Sequence, residues 1–197
     1  MGKTAIFGGS FNPVHNGHIN LVREMINELH PDRVIIVPTG ISPFKQGIKP
    51  MFSGEDRLEM CRLAFGGFPE CSVSSYEVDN EGVSYTVLTL RHFREIYPDD
   101  ELFFIVGSDM LLSLKRWYRF EEIMQLATIA AASREDGDFD VLRKTADDLS
   151  EFGKVLLIKI TPFPLSSTEI REKIENKQDF SCYLPEKVVK YILDKNV

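Results

Sequence analysis

A glycine turn between an apolar run and a histidine-bearing helix start constrains this chain more than any other feature. Residues 4–19 read TAIFGGSFNPVHNGHI. Ala5, Ile6 and Phe7 have the character of a strand, and Gly8, Gly9 and Ser10 turn the chain. His15 and His18 then lead into a segment whose apolar residues Ile19, Val22, Ile26 and Leu29 fall at helical spacing. Strand, glycine turn and helix in that order place backbone N–H groups and two imidazoles at one spot. A helix N-terminus carries unsatisfied donors and partial positive charge, so the spot suits a phosphate chain. Gly8 and Gly9 permit a close backbone approach that a side chain would block.

The rest of the chain alternates strand-like and helix-like segments, the pattern of a parallel α/β sheet. Strands are expected over residues 4–7, 33–37, 71–78, 101–106, 127–132 and 155–160. Helices are expected over 17–29, 54–65, 110–114, 120–126, 138–149 and 185–193. Two more are expected, one capped by Ser84 and stopped by Pro98, the other capped by Ser166/Ser167. The runs 33–37 and 101–106 are almost wholly apolar, as befits strands covered on both faces. The fold class is therefore α/β: a Rossmann-like, doubly wound, mainly parallel sheet with helices on both faces. Residues 1–197 read as one domain without repeats, low-complexity tracts or long linkers.

A net charge of -7 argues against sequence-independent nucleic-acid binding, which needs a basic face. An anionic ligand has to be held by a local positive patch against that global field. Cys61, Cys71 and Cys182 are scattered and odd in number, which argues against a disulfide framework or a zinc site. No apolar run approaches the ~20 residues that cross a bilayer. With no charged start and apolar leader at the N-terminus, the expectation is a cytoplasmic protein. Its oligomeric state, a homo-oligomer included, stays open.

Three further segments bear chemistry. His15-Asn16-Gly17-His18 puts two imidazoles on one side of a helix start. No third histidine or cysteine stands nearby, so no protein-held metal is expected. The turn is neither GxGxxG nor a Walker loop, and no GKS or GKT occurs. Residues 166–171, SSTEIR, set hydroxyls at a helix start with Glu169 in the first turn. Alone this is a routine cap, but its hydroxyls and amides can also hold phosphates, with Arg171 adding charge-assisted bonds. Gly107-Ser108-Asp109 follows a central strand at its carboxyl edge, where open α/β sheets bind ligands. Trp117, the one tryptophan, lies in a polar run and can stack on a ring if exposed.

GGSFNPVHNGH resembles the signature of the HxGH nucleotidyltransferase superfamily, and SSTEIR resembles its second motif, SSTxIR. Within it, Ser84-Tyr85-Thr86, Gly107-Ser108-Asp109 and the stretch from Arg116-Trp117 to Glu121-Glu122-Ile123 are similar to segments of nicotinate mononucleotide adenylyltransferases. The resemblance implies transfer of an adenylyl group from ATP to nicotinate mononucleotide, with Mg²⁺ carried mainly by the ATP phosphates. It implies catalytic roles for His15, His18, Lys45 and Arg171. ATP contacts are implied for Gly8, Gly9, Ser10, Phe11, Gly107, Asp109, Ser166, Ser167 and Thr168. Mononucleotide contacts are implied for Asn12, Ser84, Tyr85, Thr86 and Trp117. Where the family commonly reads His-Lys, this chain reads Phe44-Lys45. Two alternatives stay open: pantetheine-phosphate adenylyltransferase, which shares the GxFxPxxxGH opening, and a non-catalytic nucleotide sensor on the same fold.

Overall fold

The structure is a computed structural model that describes residues 2–43, 49–133, 139–161 and 165–195. Its strands are β1 (Lys3–Gly9), β2 (Arg33–Pro38), β3 (Cys71–Val73), β4 (Glu101–Val106), β5 (Thr128–Ser133) and β6 (Val155–Lys159). They form a parallel sheet in the order β3-β2-β1-β4-β5-β6. The chain winds outward from β1 to β3, then returns beside β1 and winds the other way. That reversal lies between β1 and β4, where the carboxyl ends of the strands open a crevice.

The helices are α1 (Asn16–Leu29), α2 (Gly54–Phe65), α3 (Tyr76–Asp79), α4 (Thr86–Ile96), α5 (Ser108–Ser113), α6 (Phe120–Leu126), α7 (Phe139–Leu149), α8 (Ser167–Glu175) and α9 (Glu186–Asp194). They cover both faces. Alternate strand residues feed opposite sides, as the two-residue period of a strand demands. Phe7, Val34, Ile36, Phe103 and Ile105 pack with Val22, Met25, Phe65, Ile170 and Val188. Ile6, Ile35, Val37, Phe104 and Val106 pack with Val87, Leu90, Leu111, Ile123 and Leu142 on the other side. Burying side chains of this size contributes roughly 1.5–3 kcal/mol each, which is why the apolar runs sit in the middle of the sheet.

At the opposite edge, Asp100 accepts the Gly2 N–H at 2.9 Å and the Thr4 hydroxyl at 2.7 Å, and pairs with Arg33. This one carboxylate joins the starts of β1, β2 and β4. Among the described residues no helix is long and apolar enough to cross a membrane. The three cysteines are unbridged.

Two expectations are corrected. The segment 71–78 is not one strand: β3 stops at Val73 and α3 follows. Ser74 Oγ accepts the Tyr76 N–H, and the Ser75 hydroxyl donates to Asp79. These local bonds outcompete the ladder. Nor does Ser84 cap α4. The cap position is Tyr85, without a side-chain bond, and Ser84 Oγ instead accepts the Gly40 N–H at 3.1 Å.

Candidate active site

β1 and β4 are neighbours, and they deliver residues 8–10 and 107–109 side by side. A cavity of 820 Å³ opens there. Every site residue expected from the sequence lines it, with the exception of Lys45, which lies outside the described residues. His18 and Arg171, 153 positions apart in the chain, thus share one space.

The first wall is the loop from Gly8 to His15. Phe11 takes a left-handed φ of 45° and is 1 % exposed. Its ring packs edge-on against Phe7 at 5.3 Å and against His18 at 5.0 Å. The ring lies so close over Gly9 that a Cβ there would come within 3.0 Å of it. A side chain at position 9 would therefore require the buried Phe11 ring, held by Phe7 and His18, to give by a few tenths of an ångström. Asn12 Oδ1 accepts the Phe52 N–H at 3.0 Å, so this part of its amide is committed to the protein.

The start of α1 is closed by its own histidines. His15 Nδ1 accepts the Gly17 N–H at 3.1 Å, and His18 Nδ1 accepts the His15 N–H at 3.1 Å, a reciprocal cap built from two imidazoles. With both Nδ1 atoms accepting, each neutral ring carries its proton on Nε2. The rings lie 3.7 Å apart. Burial lowers the His15 pKa from 6.5 to about 4, partly offset by Glu169. Burial, then the neighbouring His15, holds His18 well below its ordinary range. Both are neutral Nε2–H donors near pH 7.

The facing wall is the start of α8. Ser166 forms a capping box with Glu169, and its hydroxyl donates to that carboxylate at 2.8 Å. The Ser167 hydroxyl donates to the Pro13 carbonyl at 2.9 Å, which docks α8 on the first loop. Thr168 Oγ1 accepts from Arg171 Nη2 at 2.9 Å and keeps its own proton to give. Arg171 Nη1 donates to the Asn12 carbonyl at 2.9 Å. Of the three hydroxyls, that of Thr168 is thus the one that donates to no acceptor among the described residues. Two bonds to loop and helix hold Arg171 in place.

The third wall carries the aromatic groups. Ser84, Tyr85 and Thr86 lead into α4. Trp117 donates from Nε1 to Ser113 Oγ at 3.1 Å and meets Phe104 edge-on at 6.1 Å. It is half-buried. Tyr118 packs on Tyr85 at 4.7 Å. Arg91 grips Glu122 through Nε at 2.5 Å and Nη2 at 2.8 Å, which ties α4 to α6 and holds these aromatic segments together. Asp109 is exposed in the first turn of α5, with Oδ1 leaning over Gly107. Sequence reasoning missed Glu77 and Arg57, both buried, the first of them at the cavity wall. It also left Tyr118 out of the site. No local pattern marks a buried charge whose partners are remote in sequence.

The donors gathered here are backbone amides, imidazole N–H groups, a hydroxyl and a guanidinium, a set that suits phosphate oxygens. Among the described residues no three His, Cys, Asp or Glu side chains converge on a point that would hold a metal ion.

Comparison with known proteins bears on the family and the fold. The family model described as cytidylyltransferase-like matches residues 6–173. A probable nicotinate-nucleotide adenylyltransferase of Clostridium botulinum is 35 % identical over all of this chain and 99 % of its own length. One of Geobacillus thermodenitrificans is 34 % identical over all of this chain and 86 % of its own length. The Plasmodium falciparum nicotinic acid mononucleotide adenylyltransferase complexed with NaAD superposes with a TM-score of 0.79 at 19 % identity, covering 100 % of this chain and 97 % of that one. That likeness bears on the fold, and the two bacterial relatives bear on the family. The chain belongs to the nicotinate-nucleotide adenylyltransferases, within the cytidylyltransferase-like family.

Proposed function

We infer that this protein transfers the adenylyl group of ATP to nicotinate mononucleotide, releasing pyrophosphate and forming nicotinate adenine dinucleotide for NAD biosynthesis. One observation carries the reading: a neutral imidazole pair, an arginine-bearing helix start and an aromatic wall line one cavity at the β1/β4 crossover. The nucleophile arrives with the substrate, as the ionised phosphate oxygen of the mononucleotide, so no protein base is needed. A new bond forms from that oxygen to the α-phosphorus. The bond from the α-phosphorus to the bridging oxygen breaks, and its electrons leave with pyrophosphate. The protein aligns two polyanions in line and meets charge as it builds on the non-bridging and leaving oxygens.

His18 donates from Nε2 to the α-phosphate region and His15 to the β/γ side. Thr168, the first amides of α8 and Arg171 receive the terminal phosphates. The carboxylate of Asp109 accepts from a ribose hydroxyl. Ser84, Tyr85, Thr86 and Trp117 take the mononucleotide, with the uncapped N-terminus of α4 favouring the carboxylate of nicotinate. The protein's donors suit anions, so a Mg²⁺ ion would have to come with the triphosphate, where it would supply charge neutralisation. We place the protein in the cytoplasm, where ATP is at hand.

The test is pyrophosphate release from ATP with nicotinate mononucleotide, nicotinamide mononucleotide and phosphopantetheine offered in parallel. Turnover with the first alone, or far faster with it, supports the reading. Preference for phosphopantetheine, or ATP binding without turnover, overturns it.

A further inference from the structure

Two buried charges, Glu77 at the cavity wall and Arg57 behind it, take no part in the chemistry above. Glu77 is 8 % exposed and Arg57 4 %. The Glu77 carboxylate accepts the Thr89 hydroxyl at 2.6 Å. Burial raises the Glu77 pKa above its ordinary value, partly offset by the Thr89 and Ser84 hydroxyls, the Gly40 N–H and the charge of Arg57. Arg57 Nη1 donates to the carbonyls of Ser10 at 2.9 Å and Thr39 at 2.7 Å. The segment after β2 is zipped to the one before α4. Ile41 bridges Val83, Ser84 N donates to the Ile41 carbonyl at 2.8 Å, and Gly40 N donates to Ser84 Oγ. A Cβ at Gly40 would stand 2.1 Å from the Glu77 carbonyl oxygen, so these backbones are in contact.

Burying a carboxylate and a guanidinium is expensive, and an apolar pair of the same volume often serves stability as well. What the charged pair adds is register. Its bonds reach the phosphate loop at Ser10, the segment after β2 at Thr39 and Gly40, and the acceptor wall at Ser84 and α4. We propose that Glu77, backed by Arg57, is a positioning residue that sets Ser84, Tyr85 and Thr86 at the distance from the aromatic wall that the mononucleotide requires. This rests on the functional reading above, because it assigns the mononucleotide to that wall. Arg57 is the member of the pair that bonds the phosphate loop, at Ser10, whereas the partners of Glu77 itself are Thr89, Ser84 and Gly40, so the effect of changing Glu77 falls mainly on the mononucleotide.

The experiment compares Glu77→Gln with wild type by titrating Trp117 fluorescence with nicotinate mononucleotide and, separately, with ATP, alongside steady-state KM values. The expected result is about a tenfold rise in Kd and KM for the mononucleotide, with those for ATP changed less than about twofold. Thr89→Val, which removes the 2.6 Å donor, should move the same constants in the same direction, and Thr89→Ser should restore them. These Thr89 variants carry the test if Glu77→Gln does not fold. Equal loss toward both substrates, or no loss toward either, overturns the proposal. Wild-type protein that binds no mononucleotide overturns the functional reading and this inference together. Wild type that binds it no better than Glu77→Gln overturns this inference alone.

Discussion

His15 and His18 cap the helix that carries them, and in doing so each commits Nδ1 to a backbone N–H and leaves Nε2–H for the cavity. The arrangement solves two problems together. It pairs the His15 and Gly17 amides at the start of α1, and it sets a tautomer that, in the proposed function, would donate to phosphate without a net charge on either ring. Neutral donors do not repel one another at 3.7 Å, as two imidazolium ions would.

His18→Ala should therefore reduce kcat/KM by about 2–3 kcal/mol, the scale for loss of one preorganised donor. The loss should fall mainly on kcat, since charge builds on the α-phosphate in the transition state. Steady-state kinetics at saturating ATP measure it. Wild-type kcat in this variant would exclude His18 from transition-state stabilisation.

The same pair makes stability depend on pH. His15 titrates near 4 when folded against an ordinary 6.5, because burial disfavours its charged form. Between those values the unfolded chain binds more protons than the folded one. Stability from this group is full above the unfolded value and is lost as pH falls toward 4. That lowering of the pKa amounts to about 3 kcal/mol for this residue over the whole window. Urea midpoints recorded from about pH 7 to about pH 4.5 should fall more steeply for wild type than for His15→Asn, whose side chain still caps but does not titrate. Parallel pH profiles would refute the assignment.

How much of this could be read from residues alone depended on how local the cause was. The glycine turn, the helix start after it and the apolar run of β4 declare themselves because their determinants are neighbours in sequence. The SSTEIR cap is equally local, and Ser166 and Glu169 form their box as the spacing suggests. Local chemistry also misled. Residues 71–78 read as one strand, whereas the hydroxyls of Ser74 and Ser75 turn the chain into α3. Long-range commitments were hidden. Ser167 gives its proton to Pro13, Asn12 is held to Phe52, and Ser84 serves Gly40 instead of its own helix. Glu77 and Arg57 look like ordinary surface charges until the fold buries them.

Arg171→Lys tests whether the fork of the guanidinium matters beyond its charge. Arg171 bonds the Asn12 carbonyl with one nitrogen and Thr168 with another. A lysine ammonium keeps the charge but cannot hold both partners in the same plane. The KM for ATP should rise about tenfold, or about 1.4 kcal/mol, with the KM for the mononucleotide nearly unchanged. An unaltered KM for ATP would show that charge alone suffices.

Gly9→Ala should destabilise the protein by about 1–3 kcal/mol, because the added methyl meets the buried Phe11 ring at 3.0 Å. Phe11→Leu removes the ring that it meets, so the double variant should lose less than the sum of the two single changes. Thermal or urea unfolding of all four proteins gives the coupling. Strict additivity would mean that the methyl is accommodated elsewhere and that the Phe11 ring is not what demands glycine.

Trp117 offers the most direct check on the acceptor wall. Its indole is fixed by the bond to Ser113 and by the edge of Phe104, so it is preorganised and loses little freedom when a ring stacks on it. Trp117→Ala should weaken nicotinate mononucleotide binding by about 1–3 kcal/mol, the scale of one aromatic stack. Trp117→Phe keeps an aromatic face but drops the hydrogen bond to Ser113, so its loss should be smaller. Calorimetric titration resolves both, and ATP binding in the same variants serves as the control, since the phosphate walls are built from other elements. Weakened ATP binding with intact mononucleotide binding would reverse the assignment of the two substrates to the two ends of the cavity.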